Sequence, residues 1–163
     1  MTQQAASSSP RPLAGLRVLE VGGGAAAASC GRMLVDAGAQ VTRGAWRAEE
    51  ALSGLVREDL AWDQDYARFV HAGKRTTDAV GTALAAASRD FDLVIVGEGS
   101  SALAGLHESV GTDQGFSPRT AVIELSWFGR RGGPWAHWQG SDLVVQALSG
   151  MPHMVGRPEG PPT

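Results

Sequence analysis

A short apolar segment followed directly by three glycines constrains the fold more than any other part of the sequence. Residues 16–21 read LRVLEV, which has the apolar and β-branched character of a buried strand. Three glycines at 22–24 and an alanine-rich stretch that ends at Gly38 follow at once. We therefore predict a strand, a glycine turn and a helix closed by a glycine, the unit from which parallel α/β sheets are built.

The rest of the chain repeats this alternation of strands and helices. Residues 44–69 are mixed in charge and predict a loop that holds a short helix near 48–56. Further strands are predicted at 39–43, within 71–80, at 91–99 and at 118–129, and further helices at 81–90, 100–111 and 141–148. This order predicts an α/β fold, a doubly wound parallel sheet of the Rossmann-like class with right-handed crossovers.

Composition restricts the class of protein. The chain has 163 residues, a net charge of −3 and one cysteine, Cys30. The charge argues against a nucleic-acid partner, and one cysteine excludes a disulfide within the chain and a cysteine-based zinc framework. The sequence carries no apolar run of membrane-spanning length and does not start like a secretory signal. We therefore expect a cytoplasmic protein that uses no metal and has no membrane partner.

Three segments are predicted along the chain. Residues 1–12 have the polar composition of a disordered leader. Residues 13–150 hold all the predicted strands and helices and form the Rossmann-like domain. Residues 151–163 are rich in glycine and proline and are expected to connect to a further part of the protein, so that the domain is incomplete in this chain.

The glycine turn nearly matches the dinucleotide pattern G-x-G-x-x-G/A and stands directly between a strand and a helix. Backbone amides at a helix N-terminus can hold a phosphate, and the amides in question belong to Gly23, Gly24, Ala25 and Ala26. Where NAD-binding proteins carry an acid at the end of the second strand, this chain has Arg43. A cation there suits a phosphorylated ribose, as in NADP or coenzyme A, whereas a tight turn without a ligand is the alternative.

Two more features are expected near the carboxyl ends of the strands, where the glycine turn lies. Lys74 and Arg75 follow Gly73 as a second pair of cations, which is either a phosphate contact or an ordinary exposed pair. Gly97 and the loop after Ser126 follow two later strands. Because the carboxyl ends of parallel strands meet at one edge of a sheet, these groups are expected to share a binding edge with the glycine turn.

Catalytic candidates are few. The histidines at positions 71, 107, 137 and 153 lack metal-ligand spacing, and among them only His137, in a glycine-rich loop between two tryptophans, has a weak functional case. Ser126 and Ser149 lack the G-x-S-x-G elbow of serine hydrolases. Asp142 is interpreted as a residue that starts a helix.

Four blocks of the sequence resemble the N-terminal part of the family III coenzyme A transferases. They are PLAGLRVLEVGGGAAAASCGRMLVDAGAQV, then GKR, then DLVIV, and finally the block from Pro118 to Thr163 with QALSG and GPPT. The resemblance implies a coenzyme A-binding domain that serves acyl-CoA transfer between carboxylic acids, with acyl-CoA and a carboxylic acid as substrates. It also implies a homodimer, or pairing with a second transferase half. The predicted coenzyme A contacts are Gly23, Gly24, Ala25, Ala26, Arg43, Lys74, Arg75 and Gly97.

The same resemblance implies that the nucleophilic aspartate lies beyond Thr163, so that this chain holds no catalytic residue and is inactive alone. Ser141 stands where the racemases of the family have a histidine, which argues against racemase chemistry. Residues 97–101 depart from the family's Asn-Phe-Arg-Pro-Gly run, which indicates a diverged member. Two alternatives stay open: a non-catalytic transferase half that acts as a binding or structural module, and an NADP-binding oxidoreductase fragment.

Overall fold

The structure of the protein is a computed structural model that describes residues 11–22, 24–44, 61–77, 90–97, 119–129, 133–136, 138, 140–155 and 160. The chain forms two compact units, Met1–Leu125 and Ser126–Thr163. The domain boundaries predicted at residues 12 and 150 stay predictions. None of the helices in the described ranges is long and apolar enough to cross a membrane.

The described residues of the first unit form a five-stranded sheet and two α-helices. In chain order the elements are β1 (Arg17–Val21), α1 (Ala25–Asp36), β2 (Gln40–Gly44), α2 (Ala61–His71), β3 (Arg75–Thr77), β4 (Leu93–Val96) and β5 (Ala121–Glu124). The strand order is β3-β2-β1-β4-β5, and all four neighbouring pairs are parallel. The predicted parallel α/β fold is confirmed. The helices expected at 48–56, 81–90 and 100–111 lie outside the described residues.

The centre of the sheet is apolar on both faces, as the uninterrupted apolar runs predict. On one face Val18 of β1, Val41 of β2 and Ile95 of β4 pack together with Ala27 of α1. On the other face Leu19 and Val21 of β1 pack with Val94 and Val96 of β4. Successive side chains of a strand point to opposite faces, so β1 contributes to both clusters. The first face, which α1 covers, is called the α1 face below.

Helix α1 ends at the predicted glycine. Ala37 is its C-cap, and Gly38 follows with φ 102°, a left-handed conformation that favours glycine. The Gly38 amide donates to the Val35 carbonyl at 2.9 Å. The Ala37 carbonyl accepts from the Leu13 amide at 3.0 Å, so the end of α1 is tied to the segment that precedes β1.

Helix α2 was not predicted, since residues 44–69 were assigned to a loop around a short helix at 48–56. Tyr66, Phe69 and Val70 have the i, i+3, i+4 spacing of a helix that packs on one side. Of these three, only Val70 is fully buried. Phe69 is 60% exposed and lies under the guanidinium of Arg32, 5.4 Å from the ring centre. The apolar face is therefore too narrow and too mixed with charge to stand out in the sequence.

The second unit contains α3 (Asp142–Leu148), followed by a short 3-10 helix, Met151–Met154. Ser141 is the N-cap of α3, and its hydroxyl accepts from the Val144 amide at 3.3 Å. The predicted position of Asp142 at the start of a helix is confirmed. Its carboxylate accepts from the side-chain amide of Gln146 at 2.6 Å, one turn further along.

Candidate functional site

The strand order reverses between β1 and β4. From β1 the chain moves outward to β2 and β3, then returns past β1 to β4. Val21 is in register with Val96, and the Gly97 amide donates to the Val21 carbonyl at 2.8 Å. In parallel α/β sheets the crevice beyond the carboxyl ends at such a switch point is where ligands bind. Gly97 and the glycine turn after β1 are therefore neighbours, as the sequence predicted.

The glycine turn delivers the chain from β1 into α1. Gly22 has φ 82°, and Gly24, the N-cap of α1, has φ 103° and ψ 151°. Glycine is the residue that adopts these angles without strain. Gly24 has no side chain to cap the helix, and the first turn, Ala25 to Ala28, is entirely alanine. The amides at this end are thus open to an external acceptor, and the helix dipole favours an anion there. Gly23 lies outside the described residues.

Arg43 lies near the carboxyl end of β2, in register with Glu20 of β1 and Thr76 of β3. Residues in register in a parallel sheet point to the same face, so the Arg43 side chain lies on the α1 face. The positive charge of Arg43 is close enough to lower the pKa values of Glu20, His71 and Lys74. The structure therefore brings Arg43 to the same edge of the sheet, and the same face, as the start of α1.

Lys74 is placed differently from the exposed loop cation that the sequence suggested. Its ammonium is completely buried and lies 2.7 Å from Glu20 Oε2, whose side chain is 4% exposed. The same ammonium donates to the Ala28 carbonyl in α1 at 2.7 Å. Two of its three hydrogens are therefore committed inside the protein, so Lys74 is not placed to meet a ligand phosphate.

Arg75 is exposed at the first position of β3 and in register with Thr42. Because side chains alternate along a strand, Arg75 points to the face opposite Arg43. The two adjacent cations that the sequence grouped together are thus separated, Lys74 into the interior on the α1 face and Arg75 onto the surface of the other face.

Burial opposes both charges of the Glu20–Lys74 pair. It raises the pKa of Glu20 and lowers the pKa of Lys74, while the hydrogen bond and the attraction between the two groups act in the opposite direction. Arg43 also favours the ionised form of Glu20. The hydrogen bond and the attraction between Glu20 and Lys74 therefore offset the cost of burying both charges, so the charged form of each residue depends on its partner.

His71, the last residue of α2, lies beside this cluster. Burial, together with the positive charges of Arg43 and Lys74, lowers the pKa of its imidazole to about 4, so the ring is neutral at physiological pH. Among the described residues, no partner lies within hydrogen-bond distance of its buried Nδ1. His137, the histidine with a weak functional case, lies outside the described part of the chain.

Sequence reasoning missed Glu20. It was treated as one letter of the apolar run LRVLEV, yet it is 3% exposed and is the partner of Lys74. A signal was present, because an acid inside a strand that is buried on both faces requires a cation or a hydrogen-bond donor nearby. The distance of 54 residues along the chain hid which cation that is.

In the second unit an aromatic cluster precedes α3. The ring of Phe128 meets Trp135 edge to face at 6.2 Å and Trp138 at 6.4 Å, and the two indoles lie 6.1 Å apart. A side-chain carbon at Gly140 would collide with Trp127, so a glycine is needed there. Phe128, Trp135 and Trp138 thus form a local aromatic cluster that stays partly exposed.

Comparison with solved structures identifies the fold. The fold is that of the CaiB/BaiF proteins: a family member from Brucella suis has a TM-score of 0.74 at 24% identity, with 95% of this chain and 43% of that chain covered. The Rv3272 protein of Mycobacterium tuberculosis has a TM-score of 0.68 at 26% identity, with 94% and 42% covered.

Comparison with known sequences shows which proteins this chain resembles. Residues 92–163 match CoA-transferase family III. The succinate–glutarate CoA-transferase of Agrobacterium fabrum is 29% identical over 93% of this chain and 41% of its own length. The acetyl-CoA:oxalate CoA-transferase of Acetobacter aceti is 45% identical over 29% of this chain and 12% of its own length. The resemblance to the family III CoA-transferases is confirmed, and the chain spans about two fifths of the length of the Agrobacterium relative.

Proposed function

We propose that this chain binds coenzyme A at the switch-point edge of its sheet and takes part in the transfer of coenzyme A between carboxylic acids. The family match over residues 92–163 supports transferase chemistry. The names of both curated relatives describe transfer of coenzyme A, one with succinate and glutarate, the other with acetyl-CoA and oxalate.

One observation carries the binding proposal. The alanine-rich start of α1 opens directly at the switch point between β1 and β4, with Arg43 at the end of the neighbouring strand β2. Coenzyme A has a pyrophosphate and a ribose 3′-phosphate, which are the groups that a helix N-terminus and a guanidinium bind well. The residues present therefore fit the charged end of this ligand.

Each residue has a distinct task in this proposal. The amides of Gly24, Ala25 and Ala26 donate hydrogen bonds to the pyrophosphate, and Arg43 contacts the 3′-phosphate. Gly97 keeps the facing side of the crevice free of a side chain. Lys74 is excluded from the contact set because its ammonium is buried. Arg75 is excluded because it points to the opposite face of the sheet from Arg43.

Calorimetric titration of the full chain tests binding. We expect saturable heat with coenzyme A, weaker binding of 3′-dephospho-coenzyme A, and no saturable heat with NADP. Arg43→Gln should weaken the binding of coenzyme A roughly tenfold or more, because one hydrogen bond to a charged group is lost. The affinity of this variant for coenzyme A should then be close to the affinity of the wild type for 3′-dephospho-coenzyme A. Arg68→Gln is the matched control, since Arg68 is exposed on α2 and pairs with Asp65, three residues away. Saturable heat with NADP alone would replace this proposal by a nicotinamide-dependent activity.

An exchange assay separates an enzyme from a binding module when it is run on a protein that also carries the nucleophilic aspartate that the family resemblance implies, because this chain alone is expected to be inactive. Succinyl-CoA with glutarate and acetyl-CoA with oxalate are the two substrate pairs to supply, and the new thioester is measured by chromatography. Formation of either product supports transfer. Tight binding of coenzyme A without any exchange would favour a non-catalytic transferase half.

A further inference from the structure

The buried pair of Glu20 and Lys74 spans the glycine turn. Glu20 lies in β1, two residues before the turn begins, and Ala28 is the fourth residue of α1. The Lys74 ammonium contacts both, at 2.7 Å to Glu20 Oε2 and 2.7 Å to the Ala28 carbonyl. One cation therefore ties the strand that enters the turn to the helix that leaves it.

Lys74 is itself held in place. Its amide donates to the His71 carbonyl at 3.2 Å, in the turn that ends α2, where Gly73 has φ 76°. Its side chain then runs from this turn to the underside of α1. The position of the ammonium is thus set by α2 and β3, independently of the glycine turn.

Helix α1 lies directly on the pair. A side-chain carbon at Gly31 would collide with Glu20 Oε2 and would lie 2.9 Å from the Lys74 ammonium. An interior glycine lowers the stability of a helix relative to alanine. Because Gly31 has no side chain, α1 can lie close enough to β1 for the Lys74 ammonium to reach both Glu20 and the Ala28 carbonyl.

From these contacts we propose that Glu20, Lys74 and Gly31 act as positioning residues, which fix the amides at the start of α1 relative to the end of β1. The inference rests on the proposed function, since these are the amides that would donate hydrogen bonds to the pyrophosphate. The pair touches no ligand. It acts through the turn, because the helix cannot shift along the sheet without breaking one of two charge-assisted hydrogen bonds.

The test compares four variants of the full chain. Lys74→Met removes the cation, and Gly31→Ala displaces the pair while keeping both charges. The double variant Glu20→Leu with Lys74→Met replaces the pair by apolar side chains, a change that commonly preserves stability. Arg68→Met, at an exposed pair on α2, is the control.

Three readouts separate positioning from stability. In the ligand-free protein, we expect the amide resonances of Gly22, Gly24 and Ala25 to shift in the double variant. We also expect the Ala28 amide, which bonds to the Gly24 carbonyl, to exchange about tenfold faster, although global stability is retained. The affinity for coenzyme A should fall about tenfold as well.

The outcomes are distinct. Wild-type resonances, exchange and affinity in a stable double variant would overturn the positioning role and leave the pair purely structural. If the unmodified chain binds no coenzyme A while the turn amides still shift in the variants, the proposed function fails and the positioning of the turn is supported. Should the single variants fail to fold, the double variant alone decides.

Discussion

The Gly97 amide donates to the Val21 carbonyl at 2.8 Å, so the last residue of β1 and the first residue after β4 lie side by side. Two glycine-containing segments that are far apart in the sequence therefore meet at one place. That place is the switch point of the sheet, where the start of α1 also lies. The predictions below test the local structure on which this arrangement depends.

Gly24→Ala should destabilise the protein by about 1–3 kcal/mol, because Gly24 has φ 103° and ψ 151°, a region that other residues enter only with strain. The space beside it is open, so the effect is one of backbone conformation alone. The free energy of unfolding in urea measures it. Gly133→Ala is the control, because Gly133 has equally open surroundings without a left-handed backbone, and we expect a change below about 0.5 kcal/mol. Equal effects at the two sites would contradict the strain argument.

Lys74→Met should cost about 3–5 kcal/mol, because it leaves the Glu20 carboxylate buried without its cation. Arg68→Met removes one partner of an exposed pair with Asp65, and we expect a change of about 1 kcal/mol or less. Urea unfolding of both variants beside the wild type gives the comparison. A loss at Lys74 no larger than at Arg68 would show that Glu20 finds another donor or water.

Stability should depend on the protonation of His71. The pKa of this imidazole is about 4 in the folded protein and about 6.5 when unfolded, so the unfolded chain binds the proton more readily. The part of the free energy of unfolding that depends on a neutral His71 ring is fully present above pH 6.5 and is lost as the pH falls toward 4. Discounted for partial contact with water, it amounts to roughly 1–2 kcal/mol.

The measurement for His71 is the free energy of unfolding as a function of pH, in wild type and in His71→Gln. The carboxylates titrate in both proteins, so the difference between the two curves isolates the imidazole beside Arg43 and Lys74. We expect the variant to lose less stability between pH 6.5 and 4. Parallel curves would mean that the ring is not shielded from water.

Ser141→Ala should fray the start of α3. The Ser141 hydroxyl caps the Val144 amide, and loss of such a cap costs about 1 kcal/mol. Because α3 has only seven residues, this is a large share of its local stability. Hydrogen exchange at the Val144 amide should accelerate about fivefold. Ser141→Asp keeps an acceptor at the cap and should exchange like wild type, whereas equally fast exchange in both variants would argue against capping.

The two central strands, β1 and β4, were predictable because each is a short run whose apolar character is strong enough to identify it alone. LRVLEV and DLVIV are buried on both faces and therefore lack the polar alternation of a surface strand. Helix α2 was missed for the opposite reason, since it packs through a narrow face and exposes Tyr66 and Phe69. A helix that buries little of its surface shows only weak hydrophobic periodicity in its sequence.

The site was only partly predictable. The placement of the glycine turn and of Arg43 at one edge of the sheet was predictable, because each stands at the carboxyl end of a strand. The pairing of Glu20 with Lys74 was not predictable, because a buried ion pair is a property of three-dimensional proximity. The apolar run around Glu20 signals that this acid needs a partner, but nothing in the sequence identifies Lys74 as that partner. Lys74 and Arg75 are neighbours in the sequence, but their side chains point to opposite faces of the sheet, Lys74 into the interior and Arg75 onto the surface.

The order of the strands also bears on how the chain folds. The Arg17 amide bonds to the Asp92 carboxylate, a contact that joins residues 75 positions apart. Strand β1 can pair with β2 soon after both leave the ribosome, but its other edge must wait until β4 has been synthesised. During that interval an apolar strand is open to mispairing with other nascent chains, so the time spent translating the intervening residues is the period when a chaperone is most useful to this protein.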